Sequence, residues 1–446
     1  MFKKVLVANR GEIAVRVIRA LKELGIISVA VYSEADAGAL HTRLADEAYL
    51  LGPASAKQSY LHLPSLIRVA TQAGVDAIHP GYGFLSENQF FAEVCTAWGF
   101  VFIGPSADAI ARMGVKANAR ETMIQAGVPV VPGSDGAVQS LDEAFKVADR
   151  IGFPIAVKAS AGGGGRGIRI ASDRKEFADA FERAQTEALS NFGSDEVYLE
   201  KYLLQPRHIE IQVLADHHGH VISLGERESS IQRRRQKLLE EAPSTALDPE
   251  LRQRFELAAV KAATAVGYRN AGTIEFLLDA TGEFYFMEMN TRIQVEHPCT
   301  EAVTGVDIVK EQIRIAQGEP LGFSQADIKM VGWSVECRIN AEDSENDFRP
   351  SPGLITRYDV PGGLGVRIDS GVTVGSEITS YYDSMIAKII TWGRNRPEAL
   401  ARMRRALLEF RIEGIATTIP LHLRLLDDPE FQAGHLDTTF LERRIL

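Results

Sequence analysis

Short apolar runs alternate with helical spacing along the first hundred residues. Residues 4–8 (Lys4-Val5-Leu6-Val7-Ala8) read as a buried strand that stops at Asn9-Arg10-Gly11. Ile13, Val17, Leu21 and Leu24 then recur at helical intervals, and Gly25 closes the predicted helix. Residues 28–32 form the next predicted strand, with further candidates at 77–78 and 100–104. Strands alternating with helices predict βαβ units and a doubly wound parallel sheet that ends near Met113-Gly114. A second region, Lys116 to Ile315, opens with a helix over 117–125. Its predicted strands are 154–160, 168–171, 197–200, 208–213, 273–278 and 284–290. A third region follows Gln317-Gly318-Glu319-Pro320, rich in short strands and Gly/Pro turns and ending in helices from Pro397. The class is a multidomain mixture of α/β and α+β.

Composition narrows the function. The 446 residues suit two to four domains at about 100–200 residues each. The formal charge of −10 argues against a nucleic-acid partner. Three scattered cysteines make no disulfide framework or thiolate metal site, so a reducing, cytoplasmic setting is expected. No apolar run reaches the roughly 18 residues of a membrane span, so no membrane partner is expected.

The chemistry begins at Gly162-Gly163-Gly164-Gly165-Arg166-Gly167. Gly162, Gly164 and Gly167 satisfy the dinucleotide spacing, but that loop must precede a helix, and here a strand over 168–171 follows. The run is therefore read as a glycine-rich hairpin whose backbone N–H groups cover a polyphosphate. Lys158 lies inside an apolar strand and needs an anion beside it. Lys116 occupies a first helical turn, where the macrodipole disfavours a cation unless a negative group is present. The segment 273–290 reads as a hairpin that sets Glu275 opposite Glu288, with Asn290 on the same face, among largely apolar neighbours. Opposed carboxylates destabilise a strand pair, and a hard divalent cation removes the conflict. Close by in sequence, Gln232-Arg233-Arg234-Arg235-Gln236-Lys237 and Thr291-Arg292-Ile293-Gln294-Val295-Glu296 suggest an anionic-substrate pocket.

Taken together, these stretches resemble the biotin carboxylase family of the ATP-grasp superfamily over essentially the whole chain. The resemblance rests on Ala8–Ala14, His79–Asn88, Lys158-Ala159-Ser160 with its glycines, Glu275-Phe276, Glu288–His297 and Glu336–Glu342. It implies an N-terminal domain over 1–114, a central ATP-grasp domain over 115–315 with a mobile lid at 131–203, and a C-terminal α+β domain over 330–446. The implied activity is ATP-dependent carboxylation of biotin with bicarbonate, by way of carboxyphosphate. Acetyl-CoA carboxylase is the expected complex, and pyruvate, propionyl-CoA or 2-oxo acid carboxylases are alternatives. The expected partners are a separate biotin carboxyl carrier protein, carboxyltransferase subunits and a second copy of the chain through Arg16, Arg19 and Glu23.

By the same resemblance, Lys116, Lys158, Gly164 and Gly165 hold ATP phosphates. Glu200, Lys201, Tyr202, Leu203 and His208 hold the adenosine, and Gln232, Arg235, Glu275 and Glu288 also lie at the nucleotide. Glu275, Glu288 and Asn290 carry two Mg²⁺ or Mn²⁺ ions. Lys237, Arg292, Gln294 and Val295 form the bicarbonate pocket, Glu296 is the base, and Arg338 with Tyr82 serves biotin. The sequence departs from the pattern in four places: Arg235 for His, Glu228-Ser229 for Asp-Cys, Val115 for Asp, and Ala161 for the first of five glycines. Two other readings stay open: another ATP-grasp ligase joining a carboxylate to an amine, and a degenerate nucleotide-binding protein that only scaffolds a complex.

Overall fold

The computed structural model describes residues 1–159, 168–192 and 195–446. Gly164, Gly165 and Ala161 lie outside these, so the glycine-rich run is not described further.

The predicted parallel sheet is present. β1 (Lys4–Val7), β2 (Ile27–Ser33), β3 (Glu47–Gly52), β4 (Ala77–His79) and β5 (Val101–Phe102) lie in the order β3-β2-β1-β4-β5, with every pair parallel. The reversal at β1 is the topological switch point of a doubly wound sheet. Gly11–Glu23 packs its Ile13, Val17, Ile18 and Leu21 into the core beside this sheet. β3 is absent from the predicted strands although it carries the short apolar run Ala48-Tyr49-Leu50-Leu51, of which only Leu51 is buried.

Two compact units divide the chain: Met1–Val128 with Arg207–Phe276 and Glu288–Leu446, and Pro129–Pro206 with Leu277–Met287. The second holds β6 (Ile155–Ala159), β7 (Ile168–Ala171) and β8 (Val197–Lys201), antiparallel in the order β7-β6-β8. Phe177, Phe181 and Leu199 fill its small core.

An eight-stranded sheet dominates the remainder. It is built from β9 (Arg207–Ala215), β10 (Val221–Arg233), β11 (Gln236–Ala242), β12 (Asn270–Leu278), β13 (Phe284–Asn290), β14 (Trp333–Asn340) and the strands Val366–Ser370 and Met385–Gly393. Its order is β13-β12-β9-β10-β11-β14, then Met385–Gly393 and Val366–Ser370 at the far edge. One face of β14 places Val335, Cys337 and Ile339 in a core with Met403, Leu407 and Leu425. Helix Arg396–Glu409, begun by an Asn395 side-chain cap, covers that face. The opposite face is thereby left for chemistry.

Candidate functional site

The basic run at 232–237 is a hairpin, and its geometry separates the cations. β10 and β11 join through a two-residue turn, with Arg233 paired to Gln236. Arg234 and Arg235 have φ of 50° and 70°, the left-handed pair that such a turn needs. For side chains with a Cβ this conformation costs about 1–2 kcal/mol per residue. Both arginines are exposed at the tip, whereas Arg233 stacks on Phe348 at 4.0 Å and bonds Asp347 at 2.6 Å. Behind the turn the register jumps from Ile231↔Leu239 to Gln232↔Lys237, leaving Leu238 as a bulge. A bulge bends its strand and re-aims the neighbouring side chains. Lys237 and Glu240, three positions apart, thereby reach one cluster of side chains.

Lys237 is its centre. The ammonium bonds Glu210, Glu275 at 2.8 Å and Glu296 at 2.9 Å. Burial by itself pushes Lys237 down, but those carboxylates reverse this and hold it above the usual lysine range. Oε1 of Glu275 accepts from Lys237, from Asn290 Nδ2 at 2.7 Å and from Gln294 Nε2 at 2.6 Å. His208 Nε2 lies 2.8 Å from its other oxygen. Burial pushes Glu275 up, yet Lys237 and His208 pull it well below the carboxylate range. Glu296 is treated the same way: burial raises it, while Lys237, Arg338 and Arg227 hold it low. Arg338 donates to Glu296 at 3.0 Å and to Glu240 at 2.7 Å. Arg292 donates to Asn290 Oδ1 and to Glu87, both at 2.8 Å. The Val295 carbonyl accepts from buried Lys388 at 2.6 Å.

The structure thus unites Lys237, Glu275, Asn290, Arg292, Gln294, Glu296 and Arg338 in one hydrogen-bonded network, with His208 at its edge. Gln232 lies 3.5 Å from His208. Tyr82 donates to Glu12, and the charge of Arg338 bears on it. Glu296 precedes helix His297–Thr304, whose early Pro298 and closing Gly305 (φ 73°) delimit it. The loop 291–296 is therefore held between an edge strand and a helix start.

One expectation about the metal hairpin needs correction, the shielding of its carboxylates. The turn closes with Asp279 N–H on Glu283 O (2.9 Å) and Gly282 N–H on Asp279 O (3.2 Å), so it is centred on Thr281. The Asn290 amide reaches Glu275 at 2.7 Å, so these two side chains share one face of the hairpin. The loop holds three residues, with Gly282 supplying the left-handed position (φ 86°). The two carboxylates are not both shielded: Glu275 is buried, but Glu288, near the end of edge strand β13, is exposed. The two still interact. The protein around Glu288 raises its carboxyl, Glu275 raises it further, and Lys116 opposes them.

Lys116 is exposed at the start of helix Lys116–Gln125. Val115 precedes it with no side-chain cap, so the departure from Asp at this position removes a group that would accept a helix N–H. Glu228, another departure, is buried and ties Arg207 to Ser244. In the smaller unit, Lys158 finds its anion in Glu200 on the neighbouring strand, with the Tyr198 ring 5.9 Å away. The Lys201 ammonium donates to Phe153 O at 2.7 Å. The backbone N–H of Lys201 and of Tyr202 donates to Pro132 O and Pro154 O, and Leu203 follows half-buried.

Sequence reasoning missed Glu210, Arg227, Glu240 and Lys388, all fully buried. Arg227 alone donates to Glu210, Gln212, Thr300, Thr273 and Gln294. A signal was available: Glu210 between isoleucines and Lys388 in Ile386-Ala387-Lys388-Ile389-Ile390 carry the same apolar context that marked Lys158.

Residues 1–110 match the family described as biotin carboxylase, N-terminal domain. Residues 116–324 match the carbamoyl-phosphate synthase L chain, ATP binding domain, and 336–443 the biotin carboxylase C-terminal domain. The chain is 58% identical to biotin carboxylase 1 of Bacillus subtilis (strain 168), over 99% of this chain and 98% of that one. It is 57% identical to a pyruvate carboxylase subunit of Methanothermobacter thermautotrophicus, over 99% and 90%. It superposes with a TM-score of 0.89 and 54% identity on the biotin carboxylase domain dimer of Hydrogenobacter thermophilus 2-oxoglutarate carboxylase, solved with MgADP, ADP and bicarbonate. That match covers 99% of this chain and 98% of the other.

Proposed function

Because this chain belongs to the biotin carboxylase family, whose members are ATP-dependent carboxylases, we propose that it carboxylates biotin on a separate carrier protein for acetyl-CoA carboxylase. The single observation that carries the reading of the site is the Lys237 network. It brings a deprotonated base, Glu296, together with Lys237 and Arg338 beside the Arg292–Val295 segment. Bicarbonate binds to Lys237, Arg292, Gln294 and the Val295 backbone. Glu296 takes its proton, and the bicarbonate oxygen attacks the γ-phosphate of ATP, releasing ADP. Carboxyphosphate then yields CO₂ and phosphate, phosphate takes the ureido proton of biotin, and the biotin nitrogen attacks CO₂. Arg338 stabilises the enolate oxygen as it forms, as an oxyanion hole would, with Tyr82 lining the biotin pocket.

The donor set suits Mg²⁺ or Mn²⁺: two carboxylates and an amide oxygen are hard ligands, and the carboxyl of Glu288, raised by the protein around it and then by Glu275, calls for positive charge. Glu275, Glu288 and Asn290 would hold it, and when bound it neutralises phosphate charge. Lys116, Lys158, Gly164, Gly165, Gln232 and Arg235 would contact the phosphates, while Glu200, Lys201, Tyr202, Leu203 and His208 would contact the adenosine. Domain limits of 1–114, 115–315 and 330–446, a cytoplasmic location and a homodimer through Arg16, Arg19 and Glu23 belong to the same reading. No helix among the described residues is long and apolar enough to cross a membrane.

Bicarbonate-dependent ATP hydrolysis stimulated by free biotin tests the half-reaction. A carboxylate–amine ligase or an inert scaffold would show no such stimulation. A second reading of the complex has a specific observation behind it, since relatives named for pyruvate and 2-oxoglutarate carboxylases are 57% and 54% identical. Reconstitution with carboxyltransferase subunits from the same source, assayed against acetyl-CoA, pyruvate and 2-oxoglutarate, separates the two.

A further inference from the structure

We propose that Glu240 is the residue that holds Arg338 in its working position, and that Glu336 serves it by carrying the proton of the pair. The inference rests on the proposed role of Arg338 toward biotin.

β11 and β14 run antiparallel with Glu240 directly opposite Glu336, and both side chains are completely buried. Opposed carboxylates share one face of a strand pair at close range, and away from water both cannot carry charge. Their surroundings decide which one does. Oε1 of Glu240 accepts from Arg338 Nε at 2.7 Å and lies 2.5 Å from Nη2. Among the described residues Glu240 lacks a hydrogen-bond partner only at Oε2, whereas neither oxygen of Glu336 has one. The groups bearing on it are Lys388 from strand Met385–Gly393, Glu240 from β11, Arg338 two residues along its own strand, and Glu296 from the 291–296 loop. Cys299, on helix His297–Thr304, is near both carboxyls. An anion is favoured where donors meet it, which is at Glu240. Burial raises both carboxyls, but Arg338 pulls Glu240 back to about 7 while Glu336 stays well above the usual range, so the proton belongs on Glu336.

The arrangement has a consequence for the base. Arg338 Nη2 is shared between Glu240 and Glu296. With Glu240 charged, Arg338 is anchored from behind and only part of its hydrogen bonding falls on Glu296. With Glu240 neutral, the guanidinium would be drawn wholly to Glu296, away from the enolate oxygen and onto the carboxylate that must accept a proton. Glu240 is therefore a positioning residue that acts through Arg338. Nothing in the stretch Lys237-Leu238-Leu239-Glu240-Glu241 singles it out without the strand register.

The full chain with Glu240→Gln and, separately, Glu336→Gln tests this, using free biotin, bicarbonate and MgATP. Glutamine keeps the shape of either side chain and removes only its capacity for charge. Glu240→Gln should lower the biotin-dependent kcat by about 10- to 100-fold with the KM for ATP within about twofold. Glu336→Gln, which imitates the protonated form, should stay within about threefold of the parent. An unchanged kcat in Glu240→Gln would overturn the proposal, as would a parallel rise in its KM for ATP, the mark of general damage. A fall in Glu336→Gln equal to that in Glu240→Gln would overturn the division of roles. A parent protein without biotin-dependent activity would overturn the assigned function as well, whereas an active parent beside an unaffected Glu240→Gln defeats only this inference.

Discussion

Lys237 and Lys158 are both cations placed in strands, yet the protein treats them oppositely. Lys237 is 13% exposed and meets carboxylates exposed by 0%, 3% and 2%. Lys158 is 27% exposed and pairs with Glu200, itself 21% exposed. The difference follows from the sheets. Around Lys237 an eight-stranded sheet supplies Glu210 and Glu275 from two of its strands, and the 291–296 loop adds Glu296. Among the described residues the three-stranded sheet around Lys158 offers the carboxylate of Glu200 and leaves the ammonium partly wet. A fully bonded network is preorganised for a small anion, because little has to move when charge develops. A half-exposed ion pair is weakly held and easily exchanged for a larger charged ligand such as a polyphosphate.

Substitutions can break or sharpen this contrast. The largest effect is expected at Glu288, where the carboxyl depends on charge from outside its own side chain. Glu288→Ala should lower MgATP turnover by about 10⁴-fold, roughly 5 kcal/mol of barrier. A correctly folded variant with parental turnover would show that the metal is held elsewhere. The two lysines come next. Lys237→Met leaves buried carboxylates uncompensated and should cost about 3–5 kcal/mol in urea unfolding. Lys158→Met should cost less than about 1 kcal/mol while raising the KM for ATP; equal destabilisation by the two would erase the distinction.

Arg338→Gln should reduce biotin carboxylation about 100-fold, near 2.7 kcal/mol, with a much smaller effect on biotin-independent ATP hydrolysis. Steady-state rates with and without biotin decide this, and equal losses would move Arg338 out of the biotin step. The smallest change is expected from Arg235→His at the exposed hairpin tip, since either side chain reaches a phosphate. Activity should stay within about tenfold, and a loss beyond about 100-fold would mean that the turn has been rebuilt around arginine.

Periodicity and local chemistry carried much of the outcome. The helix opening at Lys116, the strand at 155–159 and the hairpin strands 270–278 and 284–290 are all legible, because runs and turn residues are short-range signals. Legibility failed wherever a single residue of register mattered. The two-residue turn at Arg234-Arg235 exposes two arginines of the basic run, and the bulge at Leu238 draws Lys237 into the carboxylate cluster.

By itself the sequence determined the types of element, the segments that carry chemistry and the family they resemble, since these depend on neighbours within a few positions and on motifs that survive as strings. Only the tertiary structure decided which charges meet. Glu210, Arg227, Glu240, Glu336 and Lys388 are separated by up to 178 positions in the chain, yet each is buried within reach of the same cluster. Their roles follow from strand order, register and the exclusion of water, and in a medium of low dielectric it is the identity of the adjacent charge that fixes whether a carboxyl holds a proton or gives it up.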